Sequence, residues 1–128
     1  MENKEKFQLE VSLNASPQLL YQYISTPAGL SSWYADDVRT TSDTYTFEWD
    51  GVEEKAQLLR KKLDEAIRFH WVEDEDLSTY FEIRIRVNEL TQEVSLVITD
   101  FAPSDEIADA KQLWEQQILD LKTKIGAA

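Results

Sequence analysis

His70 is the only histidine in the chain, and imidazole is the side chain most often used as a general base. A base needs an orienting partner and a substrate shielded from water. Alternation with Phe69 and Trp71 instead sends His70 to the opposite face of its strand, toward solvent beside Arg68. Covalent catalysis finds no better foothold. Cysteine is absent and no serine stands at recognisable spacing from a histidine and an acid, so no catalytic residue is assigned.

The acidic run Glu73, Asp74, Glu75 and Asp76 offers the hard oxygen ligands that a calcium ion takes. It lacks the glycine-turned loop and terminal bidentate glutamate of a calcium hand, and reads as a solvated loop between strands, so no metal is assigned. Asp36 and Asp37, where a helix hands over to a strand, read the same way. Gly29, Gly51 and Gly126 each fit a turn or a helix end, and no phosphate-cradling loop can be built from them. Arg68, Arg84 and Arg86 share an outward face with Glu82. Cross-strand ion pairing accounts for them more simply than a patch for an anionic partner. No cofactor is implied.

The elements that must position these residues follow from periodicity. Phe7, Leu9, Val11 and Leu13 alternate with polar residues as a strand with one buried face. Ser16-Pro17 and Thr26-Pro27 are helix-start signals, because each hydroxyl can cap free N–H groups and proline at the first helical position loses nothing it needed. They open two short helices, the first striped by Leu19, Leu20, Tyr23 and Ile24, the second carrying Leu30 and Trp33 on one face. Strands follow: a brief one at Val38, then Tyr45, Phe47 and Trp49, then the Asp50-Gly51 hairpin turn. The next runs from Val52 to about Leu63, with a bulge expected where alternation breaks at Leu58-Leu59. Ile67, Phe69 and Trp71, then Phe81, Ile83, Ile85 and Val87, then Val94, Leu96 and Ile98 complete the set. Residues 104–126 read as one helix, with Ile107, Ala110, Trp114, Ile118, Leu121 and Ile125 on one stripe, Ser104 as its cap and Gly126 as its stop. About 22 residues span roughly 33 Å, so this helix must lie diagonally across the sheet.

The fold class is therefore α+β: a curved antiparallel sheet of about seven strands, in the order β-α-α-β6-α, with the long C-terminal helix packed across its concave face. At 128 residues the chain matches one domain, taken as 1–128. The net charge of −12 repels phosphate backbones and anionic lipid surfaces, so nucleic acid is not expected as a partner. The charged stretch at residues 1–6 has no apolar segment behind it, and no apolar run approaches the about 20 residues of a membrane span. With no cysteine besides, a cytoplasmic location is expected.

The element order, with Ser16-Pro17-Gln18-Leu19-Leu20-Tyr21, Leu30 to Trp33-Tyr34, Phe69-His70-Trp71 and Leu113-Trp114-Glu115-Gln116-Gln117-Ile118-Leu119-Asp120-Leu121, resembles the START-like superfamily, also called helix-grip or SRPBCC. Within it the chain looks most like homologues of the activator of the ninety-kilodalton heat-shock protein ATPase. It departs from their pattern at residues 100–105, a short stretch between the last strand and the long helix without the glycine and histidine often found there. The resemblance implies a cavity between sheet and long helix, often used for an apolar ligand. The candidate walls are the inward-facing Trp33, Phe47, Trp49, Phe69, Trp71, Phe81 and Trp114. Aromatic residues at such positions more often fill a core, so a small or closed pocket is expected. Three function classes stand open: a binding module for an apolar small molecule or lipid, which the reading favours; a protein-interaction or co-chaperone-like module; and an enzyme of the cyclase or hydratase kind. Oligomeric state is not legible.

Overall fold

The computed structural model describes residues 3–126. Met1 and Glu2, part of the charged N-terminal stretch, lie outside them. The order is β1 (Lys4–Ser12), α1 (Pro17–Ser25), α2 (Pro27–Ser31), β2 (Asp37–Thr41), β3 (Thr44–Trp49), β4 (Val52–Lys62), β5 (Ala66–Trp71), β6 (Phe81–Val87), β7 (Val94–Pro103), a 3-10 turn (Ser104–Glu106) and α3 (Ile107–Ile125). The strands form one seven-stranded sheet in the order β1-β7-β6-β5-β4-β3-β2, antiparallel throughout. This is the α+β helix-grip arrangement expected from the pattern.

Local chemistry explains the joints. Ser16 Oγ accepts from Leu19 N–H at 3.1 Å and opens α1. Thr26 serves two helices at once: its hydroxyl donates to Gln22 O at 2.7 Å, closing α1, and accepts from Gly29 N–H at 3.0 Å, opening α2. The helices cross so closely that a Cβ on Gly29 would sit 2.1 Å from Gln22 O and 2.6 Å from Tyr23 Cα, both backbone atoms. The Asp50-Gly51 turn has φ of 49° and 81°, the left-handed pair a two-residue hairpin demands. The bulge falls where alternation broke: Leu58 pairs with Phe69 and Arg60 with Arg68, leaving Leu59 unpaired and exposed. Such an extra residue bends its strand and adds twist, which helps the sheet curl.

Register puts Leu9, Ile98, Ile83 and Ile67 in one row across the concave face, with the fully buried Phe47, Phe69 and Phe81 beside it. Helices α1, α2 and α3 cover that face. From α3, Trp114, Ile118 and Leu121 are buried, with Ile107, Ala110 and Ile125 half-buried along the same stripe. Gly126 ends α3 in the left-handed conformation, its N–H reaching Lys122 O and Thr123 O, and Asp109, Lys122 and Lys124 complement the helix dipole. On the convex face Arg68 pairs with Glu82 at 2.9 Å across β5 and β6, and Arg84 approaches the same carboxylate at 3.4 Å. Glu82 is buried under these two guanidinium groups.

Four expectations need correction. The last strand continues past Ile98 to Pro103, because β1 runs back to Lys4 and partners it residue for residue, Lys4 with Pro103. Residues 100–103 are thus strand rather than connection. Ser104 does not cap the long helix: residues 104–106 form a 3-10 turn, and α3 starts after Glu106 with no side-chain cap. Trp33 lies just past α2, which stops at Ser31. His70 does leave the sheet on the convex side, but it is only 8% exposed there. The loop between β5 and β6 folds back over it, so that Nδ1 meets Thr79 O at 2.8 Å and Nε2 meets Asp74 O at 3.1 Å.

Asp74 holds this loop closed. Its Oδ2 accepts from Lys4 Nζ at 2.9 Å and from Thr79 Oγ1 at 2.7 Å, and its Oδ1 accepts from Asp76 N–H at 3.0 Å. Partial burial pushes the carboxyl pKa upward, but the hydrogen bonds from Lys4, Thr79 and Asp76 and the charge of Lys4 outweigh it and hold the group down at about 2.

Two outcomes follow. Gly29→Ala forces α1 and α2 apart and should cost about 1–3 kcal/mol in urea unfolding; an unchanged midpoint would show that the crossing yields freely. An unfolded aspartate has a pKa of about 3.9, so ionised Asp74 stabilises the fold above that value, and its contribution is lost as pH falls through about 2. Thermal midpoints taken from pH 6 to pH 2 should therefore fall less steeply for Asp74→Asn than for the unaltered chain.

Candidate functional site

Sheet and α3 part company near the first turns of the helix. Ala110 stands one turn before Trp114 on the inward stripe, and its small side chain leaves space that a larger residue would fill. The result is an open groove of about 410 Å³, floored by Tyr34, Trp49 and Trp114, and edged by Leu113 and Gln117 from α3 and Glu54 and Asp100 from the sheet.

Tyr34 organises the groove. Its ring stacks on Trp114 at 5.3 Å and 21°, meets Trp49 edge-on at 5.4 Å and 77°, and lies on Phe81 at 5.8 Å. Its carbonyl oxygen accepts from Trp49 Nε1 at 2.9 Å and from Gln117 Nε2 at 3.2 Å. Trp114 Nε1 donates to Asp100 Oδ2 at 2.9 Å, and Phe101 N–H donates to Asp100 Oδ1 at 2.8 Å. Both indole N–H groups are thus used within the protein, and the rings offer the groove their apolar surface.

Asp100 faces inward because its register partner on β1 is Phe7, a core residue. Burial pushes its carboxyl pKa up, offset in part by the hydrogen bonds from Trp114 and Phe101 and by the charge of Lys4. Burial also pushes the Tyr34 phenol far up, helped by the negative charges of Asp100 and Glu54, so it stays a neutral hydroxyl at any ordinary pH. Glu54 is exposed at the mouth, opposite Phe47 in the β3–β4 ladder.

Of the seven residues marked as candidate walls, two line the groove: Trp49 and Trp114. Phe47, Phe69 and Phe81 are fully buried in a ring stack, with Phe69 and Phe81 centred 5.1 Å apart. Trp71 backs that stack, 5.0 Å from Phe81 and 6.1 Å from Trp49. Trp33 packs on Tyr34 at 5.6 Å and gives its N–H to Tyr23 O at 2.9 Å, outside the groove. The two carboxylates and Tyr34 escaped the sequence reading. Asp100 did leave a signal, standing in phase with Val94, Leu96 and Ile98 where an apolar residue belongs. Glu54 left the same one, in phase with Val52 and Ala56. Tyr34 sits between elements, where periodicity is silent.

Two of the four carboxylates in the acidic run at residues 73–76 are spent internally: Asp74 as described, and Asp76 Oδ1 on Ser78 N–H at 3.0 Å and Ser78 Oγ at 2.6 Å. Asp36 accepts from Asp50 N–H at 2.8 Å and so braces the β3–β4 turn. Among the described residues no three His, Cys, Asp or Glu side chains gather as metal ligands. No helix among them is long and apolar enough to cross a membrane. A second hollow of about 380 Å³ lies between residues 12–15 and 91–94, with no aromatic ring in its lining.

Comparison with known proteins agrees with the geometry. The protein BfR322 from Bacteroides fragilis, solved in solution by NMR, is 41% identical, with 98% of this chain and 93% of that chain covered and a TM-score of 0.68. The Aha1 dimer from Colwellia psychrerythraea shares the fold at 17% identity, covering 92% of this chain and 93% of that one, with a TM-score of 0.76. CalU16 from Micromonospora echinospora does so at 14% identity, covering 95% and 74%, with a TM-score of 0.72. No curated protein matches the chain. The family model for the START-like superfamily domain matches residues 1–127, and with a 41% identical relative covered almost end to end, the chain belongs to the START-like superfamily.

Proposed function

We propose that this chain is a binding module that takes an apolar small molecule, or the apolar part of a lipid, in the groove between the sheet and α3. The observation that carries this reading is the groove floor. Three aromatic side chains meet there, and the N–H groups of both indoles are already bonded to protein acceptors, so the indole surface left for a visitor is apolar. The volume, about 410 Å³, lies in the range of small-ligand pockets. A chain without cysteine needs no oxidising compartment, which suits a cytoplasmic module. The cyclase or hydratase reading gains nothing from His70, which meets its loop on the other side of the sheet.

A protein-interaction reading has one observation of its own. Leu113 and Leu119 on α3 are 60% and 53% exposed, and the Colwellia relative was solved as a dimer. Light scattering decides it: a doubled mass that reverts to a single chain in Leu119→Glu would favour self-association over the groove.

Titration with the neutral dye Nile red tests the primary reading. Saturable one-to-one binding to the native protein is expected, with at least about tenfold loss in Ala110→Leu, whose added aliphatic bulk narrows the groove beside Trp114. The melting temperature of that variant serves as the folding control. Dye binding that is absent, or indifferent to Ala110→Leu and to Trp49→Ala alike, would sink the proposal.

A further inference from the structure

Resting on the reading of the groove as a small-molecule site, we infer that its ligand is an organic cation: an ammonium group attached to an apolar body. Apolar walls alone would not call for Asp100 and Glu54, yet both carboxylates edge the groove. Neither lies within ion-pair distance of a lysine or arginine among the described residues, and Asp100, unlike the exposed acids that also lack such a partner, faces the core. No residue lining the groove is cationic. Asp100 sits on the concave face among core residues and receives only two neutral N–H donors, from Trp114 and Phe101. An ionised carboxylate offers about four acceptor positions, so half its capacity stays unused, and its charge is met only at a distance, by Lys4. Burying a charge without a counter-charge is costly, and a cation in the groove offsets that cost.

The rings fit the same occupant. A cation is drawn to the face of an aromatic ring, most strongly to tryptophan, and Trp49 and Trp114 both line the groove, backed by Tyr34, whose own ring is stacked between Trp114 and Phe81. The apolar body would lie along Leu113 and Ala110 while the charged head meets the carboxylates. The net charge of −12 speeds encounter with cations and repels anions at a distance. Anionic lipids and fatty acids are therefore the wrong ligands for this groove, although its walls are greasy. A lysine side chain presented by a protein would share the charge. The recess takes one compact group, and the committed occupant is a free small molecule.

The test compares benzyltrimethylammonium, its isosteric uncharged carbon analogue neopentylbenzene, and a smaller benzylic anion, phenylacetate, each followed by tryptophan fluorescence and calorimetry. The cation should bind at least about tenfold more tightly than the neutral analogue, and the anion should not bind measurably. Glu54→Gln, an exposed change that leaves the core alone, should cut the cation's advantage several-fold while moving the neutral analogue less than about twofold. Asp100→Asn should do the same, and the advantage should shrink between 0.02 and 0.5 M salt. Equal or tighter binding of neopentylbenzene overturns the cation and leaves the apolar groove standing. Failure of both probes overturns the two readings together. A preference for the cation that survives both variants places its origin elsewhere and also overturns the inference, as does binding confined to lysine-rich polypeptides.

Discussion

A helix of 19 residues has to be held against a sheet that curls away from it, and one side chain gives that contact a fixed direction. Trp114 stacks on Tyr34, reaches Phe81 at 6.1 Å and donates its N–H to Asp100 on β7. Ile118 and Leu121, fully buried one and two turns on, each add about 1.5–3 kcal/mol by removing apolar surface from water. They are not selective, since any aliphatic residue would do as much. The indole supplies what they lack: a polar contact in a fixed direction, which sets where along the sheet the helix lies. The register that turns Asp100 inward, beside Phe7, is therefore a condition for the helix position as well as for the sheet.

The same constraint explains why the groove sits where it does. Behind Trp114, toward the C-terminal end of α3, aliphatic side chains close the gap between the layers. Ahead of it Ala110 cannot, and a groove opens there over Trp49 and the edges of Tyr34 and Trp114. The aromatic residues deeper in the sheet fill space that a wider cavity would occupy, with Phe47, Phe69 and Phe81 in mutual contact. A curved sheet under a straight helix must leave a void or fill it. This chain fills it over most of the concave face and leaves it open at one end.

How much of this was legible depends on whether a residue obeys a period. The Asp50-Gly51 turn, the bulge at Leu58-Leu59 and the stripe of α3 were all written in local spacing, and the structure has them there. The burial of His70 was not, because alternation gives the face of a side chain but says nothing about a loop that later folds over that face. Ser104 misled for a related reason. A hydroxyl before a helical stripe is a good cap, but the chain leaving β7 turns through a 3-10 segment before its dihedrals become helical. The groove was legible only as a list of large inward residues. Which of them meet a gap depends on small neighbours such as Ala110 and on Tyr34, a residue between elements that no pattern singles out.

Asp100 is the residue that packing explains least. Burial raises its pKa above the unfolded value, so the acid contributes to stability only while protonated, and that contribution is lost as pH rises through the folded pKa. At neutral pH the ionised group works against folding, and the two N–H donors offset only part of the cost. Trp114 does need an acceptor, since a buried indole N–H without one is itself costly. A neutral asparagine would meet only part of that need: its one carbonyl oxygen can accept from the indole, but its amide group would then face the Phe101 N–H that the second carboxylate oxygen accepts. The two donors therefore account for two acceptor oxygens at position 100, while a full negative charge is more than two neutral N–H groups answer. A destabilising charge kept next to an uncovered aromatic floor is what a site built for an opposite charge looks like, and stability commonly yields to function at such places.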